Sequence, residues 1–203
     1  MCIRDRFPPV ALCLACLAGS GMAAEVLYDF EGDFDAAQVK GRDVKVSRVE
    51  TDGGFALRID SSHNQDWPGI DLPAPEGHWD LSAFARVTAQ VRNVGDNEVT
   101  VRLRVDSPSA DGIDNCVTGY VELAPGKSGV ITAELRRKSA GAEVGLFGMR
   151  GYPEGFGPST KGLDAENVVN LVVFVAKPDA DHSFTIDSIQ AEVPPAPPLN
   201  AQV

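Results

Sequence analysis

The segment SHNQDWPG places Trp67 directly after a run of polar side chains that includes Asn64. One face of a sugar ring carries only C–H groups, so an aromatic ring covers that face while amide and carboxylate groups bind the hydroxyls. These residue types therefore indicate a carbohydrate site, although Trp67 could equally close one end of a β-sandwich as a buried residue. Trp79 lies close in sequence to Leu81 and Phe84, which favours the buried role for this second tryptophan.

A glycine-rich segment, GLFGMRGYPEGFG (145–157), brings three more side chains suited to sugar binding: Arg150, Tyr152 and Phe156. The segment lacks the Lys-Ser/Thr pair and the following helix of a phosphate-binding loop. We therefore predict an ordered surface loop, and we place its arginine and its two aromatic residues in the same candidate site as Trp67 and Asn64.

Two carboxylates at opposite ends of the chain could hold a metal ion. Glu31 follows the first apolar run in YDFEG, and Asp187 lies in the last one in FTIDSI. If the first and last strands are neighbours, the two side chains could share a structural calcium ion, which takes about six to eight oxygen ligands. The alternative is that they are two unrelated surface acids.

Catalytic motifs are absent from the sequence. It contains no GxSxG, no HExxH and no paired-cysteine metal site. The three histidines, His63, His78 and His182, are scattered in polar segments, and with 29 acidic residues a glycosidase pair cannot be nominated by proximity alone. A free-standing jelly-roll lyase would need Tyr, His, Arg and Lys side chains clustered on one sheet face, and we expect no such cluster. We therefore predict no catalytic residue in this chain.

The elements that must position these residues are short β-type runs separated by turn signals. VTVRLRV alternates strictly, with Val99, Val101, Leu103 and Val105 on one face and polar residues between them, as in a half-buried antiparallel strand. Nine runs of this kind predict an all-β, antiparallel jelly-roll β-sandwich of the galactose-binding-like type. The nine runs are 25–30, 44–50, 56–62, 86–93, 99–107, 117–123, 129–135, 169–176 and 183–193. Gly95-Asp96-Asn97 predicts a hairpin between the fourth and fifth runs, and Pro125-Gly126 predicts another tight connection.

The N-terminal segment is predicted to be a signal peptide. The apolar run VALCLACLA (10–18) is too short to span a bilayer, and small residues follow it up to Ala24. We assign residues 1–24 to the signal peptide, although the first six, MCIRDR, resemble a translated sequencing adapter. The expected location is secreted or periplasmic, with a lipoprotein anchored through Cys16 as the less favoured alternative. Cys116 is then the one cysteine of the mature domain, so no internal disulfide is expected.

The negative charge of the chain disfavours some classes of partner, and its C-terminal segment has the composition of a linker. The formal net charge of the chain is −11, and no basic stripe is visible, so we expect neither nucleic acid nor a membrane surface as a partner. Residues 25–193 carry the strand pattern. PPAPP then opens a stiff, Pro-rich linker over residues 194–203.

Five segments carry a resemblance to a known family: LYDFEGD (27–33), DLSAFARVTAQVRN (80–93), VDSPSADGIDNCVTGYVELAPG (105–126), LFGMRGYPEGF (146–156) and FTIDSIQAE (184–192). They resemble the N-terminal carbohydrate-binding-module-like domain of β-agarases of glycoside hydrolase family 50, over residues 26 to 192. The pairing of ADGIDNCVTG with LFGMRGYPEGF is the most specific part. The opening and closing motifs are similar to those of jelly-roll binding modules in general, from which the calcium assignment to Glu31 and Asp187 is also carried.

The resemblance implies a non-catalytic accessory module of an agar-degrading enzyme. Such a module contacts galactose-rich, agarose-like polysaccharide or packs on the C-terminal catalytic barrel of the parent protein. A purely structural interdomain sandwich without sugar affinity is the alternative. The sequence ends after the Pro-rich linker, so we expect the chain to be the front piece of a longer enzyme whose barrel carries the catalytic acids.

Overall fold

The computed structural model describes residues 24–135 and 162–193. Within these two ranges the chain forms eleven β-strands and one short 3₁₀ helix, Ala36–Gln38. The strands are β1 (Ala24–Asp29), β2 (Lys40–Arg42), β3 (Val44–Thr51), β4 (Gly54–Ser61), β5 (Gly69–Pro73), β6 (Arg86–Asn93), β7 (Val99–Asp106), β8 (Cys116–Leu123), β9 (Ser128–Glu134), β10 (Asn170–Val175) and β11 (His182–Glu192). No helix in the described ranges is long and apolar enough to cross a membrane.

The strands form two antiparallel sheets that pack face to face. In the part of the chain that is described, one sheet has six strands in the order β3-β4-β11-β6-β9, with β1 also paired to β11. The other has five strands in the order β2-β5-β10-β7-β8. The predicted all-β, antiparallel jelly-roll sandwich is therefore confirmed.

The alternation predicted for β7 is confirmed and shows how each strand divides its residues between core and solvent. Val99, Val101, Leu103 and Val105 are all buried in the apolar core between the sheets. The residues between them point away from that core, because successive side chains of a strand lie on opposite faces of the sheet. β7 therefore presents a set of polar side chains, including Arg102, on the outward side of the five-stranded sheet.

Two strands of the five-stranded sheet were not predicted from the sequence. β2 has three residues, KGR, and β5 has five, GIDLP. Glycine and proline are depleted in strands, and both runs are too short for a period of two to be recognised. They form one edge of the sheet, where β2 pairs with β5 and β5 pairs with β10.

The predicted hairpin at Gly95-Asp96-Asn97 is wrong. β6 lies in the six-stranded sheet and β7 in the five-stranded sheet, so this segment carries the chain from one sheet to the other. The connection at Pro125-Gly126 likewise leads from β8 in one sheet to β9 in the other. A local turn signal marks the end of a strand, but the sheet that the next strand joins depends on pairing partners distant in sequence.

β8 and β9 approach each other closely where the two sheets meet. A Cβ atom at Gly119 of β8 would lie 2.1 Å from the carbonyl oxygen of Thr132 in β9, which is far inside van der Waals contact. The absence of a side chain at Gly119 therefore allows the two backbones to come together and to close this side of the sandwich.

Candidate functional site

Basic, acidic, amide and aromatic side chains lie on the outward side of the five-stranded sheet, which we call the outer face. Cross-strand register places its residues in rows, because residues directly opposite each other share one face of a sheet. One row runs Arg42, Gly69, Phe174, Arg102 and Tyr120 across β2, β5, β10, β7 and β8. The two rows that follow it are Lys40, Asp71, Val172, Arg104, Thr118 and then Pro73, Asn170, Asp106, Cys116.

The centre of the outer face is apolar and well covered. Val172 and Phe174 of β10 are 1% and 7% exposed although they point away from the core between the sheets. A Cβ atom at Gly69 would lie 2.6 Å from the Cβ atom of Phe174, so the glycine leaves room for this ring. Trp67, just before β5, packs edge-on against Phe174 with ring centroids 5.9 Å apart.

Two aromatic side chains remain open to solvent. Trp67 is 48% exposed and lies outside the core cluster. It is therefore not a buried residue that closes one end of the sandwich. Tyr120 of β8 is 59% exposed and has the guanidinium carbon of Arg102 5.3 Å from its ring centroid. Trp79, in contrast, packs edge-on against Tyr28 at 6.0 Å and borders the core, which agrees with the buried role expected for it.

Arg104 and Asp106 of β7 form a largely buried ion pair on the same face as these aromatic residues. Nε of Arg104 donates to Oδ1 of Asp106 at 2.7 Å, and Nη2 donates to Oδ2 at 2.8 Å. The hydrogen bond with Asp106 raises the pKa of Arg104 above its ordinary value, so the guanidinium stays charged. Burial raises the pKa of the neighbouring Cys116 thiol, and the negative charge of Asp106 adds to this effect. The thiol is therefore neutral at physiological pH.

An amide completes the polar groups of the outer face. Nδ2 of Asn170 donates to Oδ1 of Asp71 at 3.2 Å, across the β10–β5 pair. The Oδ1 atom of Asn170 is buried and has no hydrogen-bond partner in the described structure. The outer face thus combines exposed aromatic rings with donors and acceptors of several kinds, which is the composition of a small-molecule or saccharide site.

The sequence-predicted site residues are only partly brought together. Trp67 lies on the outer face, as described above. Asn64 lies in the loop after β4, where its Nδ2 donates to Oγ of Ser62 at 2.5 Å and its backbone N–H donates to Asp43 at 2.9 Å. Its amide thus orders the loop that leads to Trp67. The three residues Arg150, Tyr152 and Phe156 lie outside the described residues.

The two candidate calcium ligands lie at one strand junction. β1 and β11 are neighbours, and Asp29 is the partner of Ser188, so the condition set for Glu31 and Asp187 is met. At this point β11 exchanges one neighbour, β4, for the other, β1. Oε1 of Glu31 accepts a hydrogen bond from the backbone N–H of Phe55 at 2.7 Å, which joins the end of β1 to the start of β4.

The donor set at this junction fits a calcium ion only in part. Asp187 is exposed and one oxygen of Glu31 is already hydrogen-bonded, so the two side chains offer few free oxygens. Across residues 24–135 and 162–193, no three or more His, Cys, Asp or Glu side chains are grouped to hold a metal ion. Backbone carbonyl oxygens would have to supply the remaining ligands.

The candidate site residues that the sequence did not single out are those of β7 and β8. The cluster that a lyase would need combines Tyr, His, Arg and Lys side chains on one sheet face, and the rows of the outer face contain three of these four residue types. The outer face brings together Lys40, Arg102, Arg104 and Tyr120. The alternation of β7 indicated that its arginines point outward, but only the register of β7 with β8 places Arg102 beside Tyr120. The rows of this face given above contain no histidine among the residues that the structure describes.

The chain is similar in sequence to an agarase and similar in fold to agarase domains and carbohydrate-binding modules. β-Agarase B of Vibrio sp. (strain JT0107) is 26% identical, over 71% of this chain and 17% of that protein. A solved exo-β-agarase superposes with a TM-score of 0.62 at 21% identity, over 84% of this chain and 25% of that chain. A family 11 carbohydrate-binding module from Clostridium thermocellum, solved with a β-1,3-1,4-mixed-linked tetrasaccharide, superposes with a TM-score of 0.54 at 18% identity. This match covers 86% of this chain and 98% of that module.

The resemblance to the module of family 50 β-agarases is confirmed by these matches. No family model matches the sequence. This chain spans about a sixth of the agarase that it matches in sequence and about a quarter of the agarase structure, but nearly all of the binding module.

Proposed function

We propose that this chain is a non-catalytic carbohydrate-binding module that binds galactose-rich, agarose-like polysaccharide on its outer face. The observation that carries the proposal is the exposure of Trp67 and Tyr120 on one polar sheet face. Exposed aromatic rings of this size cost free energy in water, and a sugar ring that stacks on them removes apolar area from solvent.

The spacing of the two rings suits an extended ligand. Trp67 precedes β5 and Tyr120 lies on β8, with β10 and β7 between them, so three strand spacings separate their strands. At about 4.8 Å per spacing this is roughly 14 Å. A polysaccharide that crosses the strands would contact both rings and pass over Phe174 and Arg102.

The parent protein in this proposal is a secreted or periplasmic agar-degrading enzyme. The matched agarases are four to six times longer than the part that this chain covers, which supports a separate catalytic barrel after the Pro-rich linker. Cleavage of a signal peptide and the location that follows from it belong to the proposal, as does a structural calcium ion at Glu31 and Asp187.

A second candidate is a purely structural module that packs on the barrel without binding sugar. The similarity to regions of whole agarases favours it, because the same aromatic face could be covered by the neighbouring domain. In that case Trp67 and Tyr120 would be buried in the complete enzyme and the isolated module would have no affinity for galactans.

Sugar binding by the isolated module decides between these candidates. The chain contains two tryptophans, and only Trp67 is exposed on the outer face, so tryptophan fluorescence reports on this face. We expect agarose oligosaccharides to shift the emission of the wild-type module. We expect Trp67→Ala to remove the shift and to weaken binding, measured by calorimetry, by at least about tenfold, which is the loss of a typical aromatic anchor.

Two variants control this experiment. Trp79→Phe keeps an aromatic ring against Tyr28 and should leave the fluorescence shift in place. Val130→Ala removes an exposed apolar side chain from the other sheet and should leave the affinity unchanged. If the wild-type module binds no galactan, or if Trp67→Ala binds as tightly as the wild type, the structural candidate replaces the proposal.

A further inference from the structure

We propose that Arg102 makes the outer face selective for a saccharide that carries a negatively charged oxyanion group, either a sulfate ester or a carboxylate. This inference rests on the proposed function and names the class of sugar that the same face prefers. Arg102 and Arg104 occupy equivalent positions, two residues apart, on the same strand face, but their partners differ.

Arg104 uses its charge within the protein, and Arg102 does not. The bidentate hydrogen bonds from Arg104 to Asp106 neutralise that guanidinium and fix its position. No ion pair joins Arg102 to a carboxylate of the described residues, and its buried Nε atom has no hydrogen-bond acceptor there. The guanidinium of Arg102 contacts the ring of Tyr120, and the ring attracts the cation. The N–H donors of a guanidinium lie in its plane, and the ring gives them no acceptor there.

The described part of the chain leaves Nε of Arg102 buried and without a hydrogen-bond partner. Buried donors of charged groups are rarely left unsatisfied in folded proteins. β7 could carry a shorter or neutral residue at this position without losing any hydrogen bond that the structure shows. A ligand that accepts hydrogen bonds from the guanidinium gives this side chain the partner that the protein does not supply.

The charge of the outer face agrees with an anionic group. Its rows include four basic and two acidic residues, in a chain whose formal net charge is −11. Asp106 is paired with Arg104, and Asp71 accepts a hydrogen bond from Asn170. The local excess of positive charge therefore centres on Arg102 and on the two basic residues of β2, Lys40 and Arg42.

The chemistry of the guanidinium defines the ligand group. Its planar fork of N–H donors matches two oxygens of a sulfate or carboxylate group. Tyr120 and Phe174 flank Arg102 in the same row, so a sugar ring above them would hold an anionic substituent close to the fork. A neutral hydroxyl at this position would accept one hydrogen bond and leave the positive charge uncompensated.

The test compares oligosaccharides that share one galactan backbone. Calorimetry measures the affinity of the complete chain for a neutral agarose oligosaccharide, for its sulfated counterpart and for a counterpart that carries a carboxylate. The buffer contains 150 mM NaCl, at which the Debye length is about 8 Å, so the long-range repulsion by the acidic chain is screened. We expect at least one anionic ligand to bind ten times more tightly than the neutral one, and the two anionic arms show which group is preferred.

Variants of Arg102 assign the preference to this residue. Arg102→Gln keeps most of the side-chain stem and should abolish the tenfold preference, because the anionic ligands lose more affinity than the neutral ligand does. Arg102→Lys keeps the charge but not the fork and should retain part of the preference. Arg92→Ala is the matched control, because Arg92 lies on β6 of the other sheet and is exposed there. It should leave all three affinities unchanged.

Each other outcome overturns the inference. Equal affinities for the neutral and anionic ligands would overturn it and leave the proposed function standing. A preference that persists in Arg102→Gln would also overturn it. Binding of inorganic sulfate as tight as binding of the sulfated oligosaccharide would reduce the site to one for a free anion. If none of the three oligosaccharides binds, the proposed function fails as well.

Discussion

His182, at the start of β11, shows how the burial of one residue couples to the stability of the fold. Its side chain is largely buried, and Nδ1 lies 3.0 Å from Oδ1 of Asn97. Burial lowers the pKa of His182 below its ordinary value, while the negative charges of Asp179 and Asp181 act in the opposite direction. The folded protein therefore favours the neutral imidazole.

This burial predicts a loss of stability in mild acid. Because the unfolded chain binds a proton at His182 more readily than the folded chain, stability is complete above the unfolded pKa of about 6.5 and falls as the pH drops through the folded pKa. We expect a lower melting temperature at pH 5.5 than at pH 7.5, and a smaller difference in His182→Gln. The exposed His78, changed to Gln, should leave the difference unchanged. A pH dependence identical in wild type and His182→Gln would contradict this account.

β11 is the element on which the six-stranded sheet depends, because it pairs along its whole length. β6 lies on one side, and on the other side β4 pairs with its first half and β1 with its second half. The register with β6 shifts between Ile186 and Ile189, which places Asp187 in a bulge at the change of neighbours. At the same junction, the Glu31 carboxylate accepts a hydrogen bond from the backbone N–H of Phe55 at the start of β4.

The junction of β1, β4 and β11 is the place to test the calcium proposal. A bound ion stabilises the native state by mass action, so a chelator should lower the melting temperature if Glu31 and Asp187 share calcium. We expect Asp187→Ala to remove this response to chelator. An exposed acid on another strand, Glu122, changed to Ala, should keep it. A melting curve that excess chelator leaves unchanged would refute the calcium site.

The strands were predictable because their residues alternate locally, whereas their arrangement was not. All nine predicted runs correspond to strands with bounds that differ by at most two residues. β2 and β5 escaped prediction because KGR and GIDLP are short and contain glycine or proline. For the candidate site, Trp67 was identified from its own polar neighbours in sequence. Arg102 and Tyr120 are 18 positions apart in sequence, and only the pairing of β7 with β8 brings them together.

At the scale of the whole molecule, one buried side chain joins two of the connections between the sheets, β6–β7 and β8–β9. Asn93, at the end of β6, is 1% exposed. Its Nδ2 donates to the carbonyl oxygens of Asn97 and Leu123, both at 2.8 Å, and its Oδ1 accepts from the N–H of Gly95 at 2.9 Å. Asn97 and Gly95 belong to the β6–β7 connection, and Leu123 ends β8, so the amide joins the β6–β7 connection to the start of the β8–β9 connection.

Loss of this amide should destabilise the whole sandwich. Asn93→Ala leaves two carbonyl oxygens and one N–H without their partner, and we expect it to lower the free energy of unfolding by about 2–4 kcal/mol. For a domain of this size the melting temperature falls by roughly 2–4 °C per kcal/mol. Asn64→Ala, in an exposed loop, is the control and should cost less than about 1 kcal/mol. The free energy of unfolding is measured by urea denaturation. An equal decrease in the two variants would show that Asn93 does not stabilise these connections between the sheets.

The pairing of β1 with the last residues of β11 has a mechanical consequence. Ala24 lies directly opposite Glu192, so the first and last described strands have their outer ends side by side in one sheet. The hydrogen bonds of an antiparallel pair run perpendicular to the strands, and tension applied through both ends would therefore load them one after another, from Ala24 inward. The domain would peel open at low force in that direction. A domain with its ends at opposite poles would carry the same load across all of its hydrogen bonds at once.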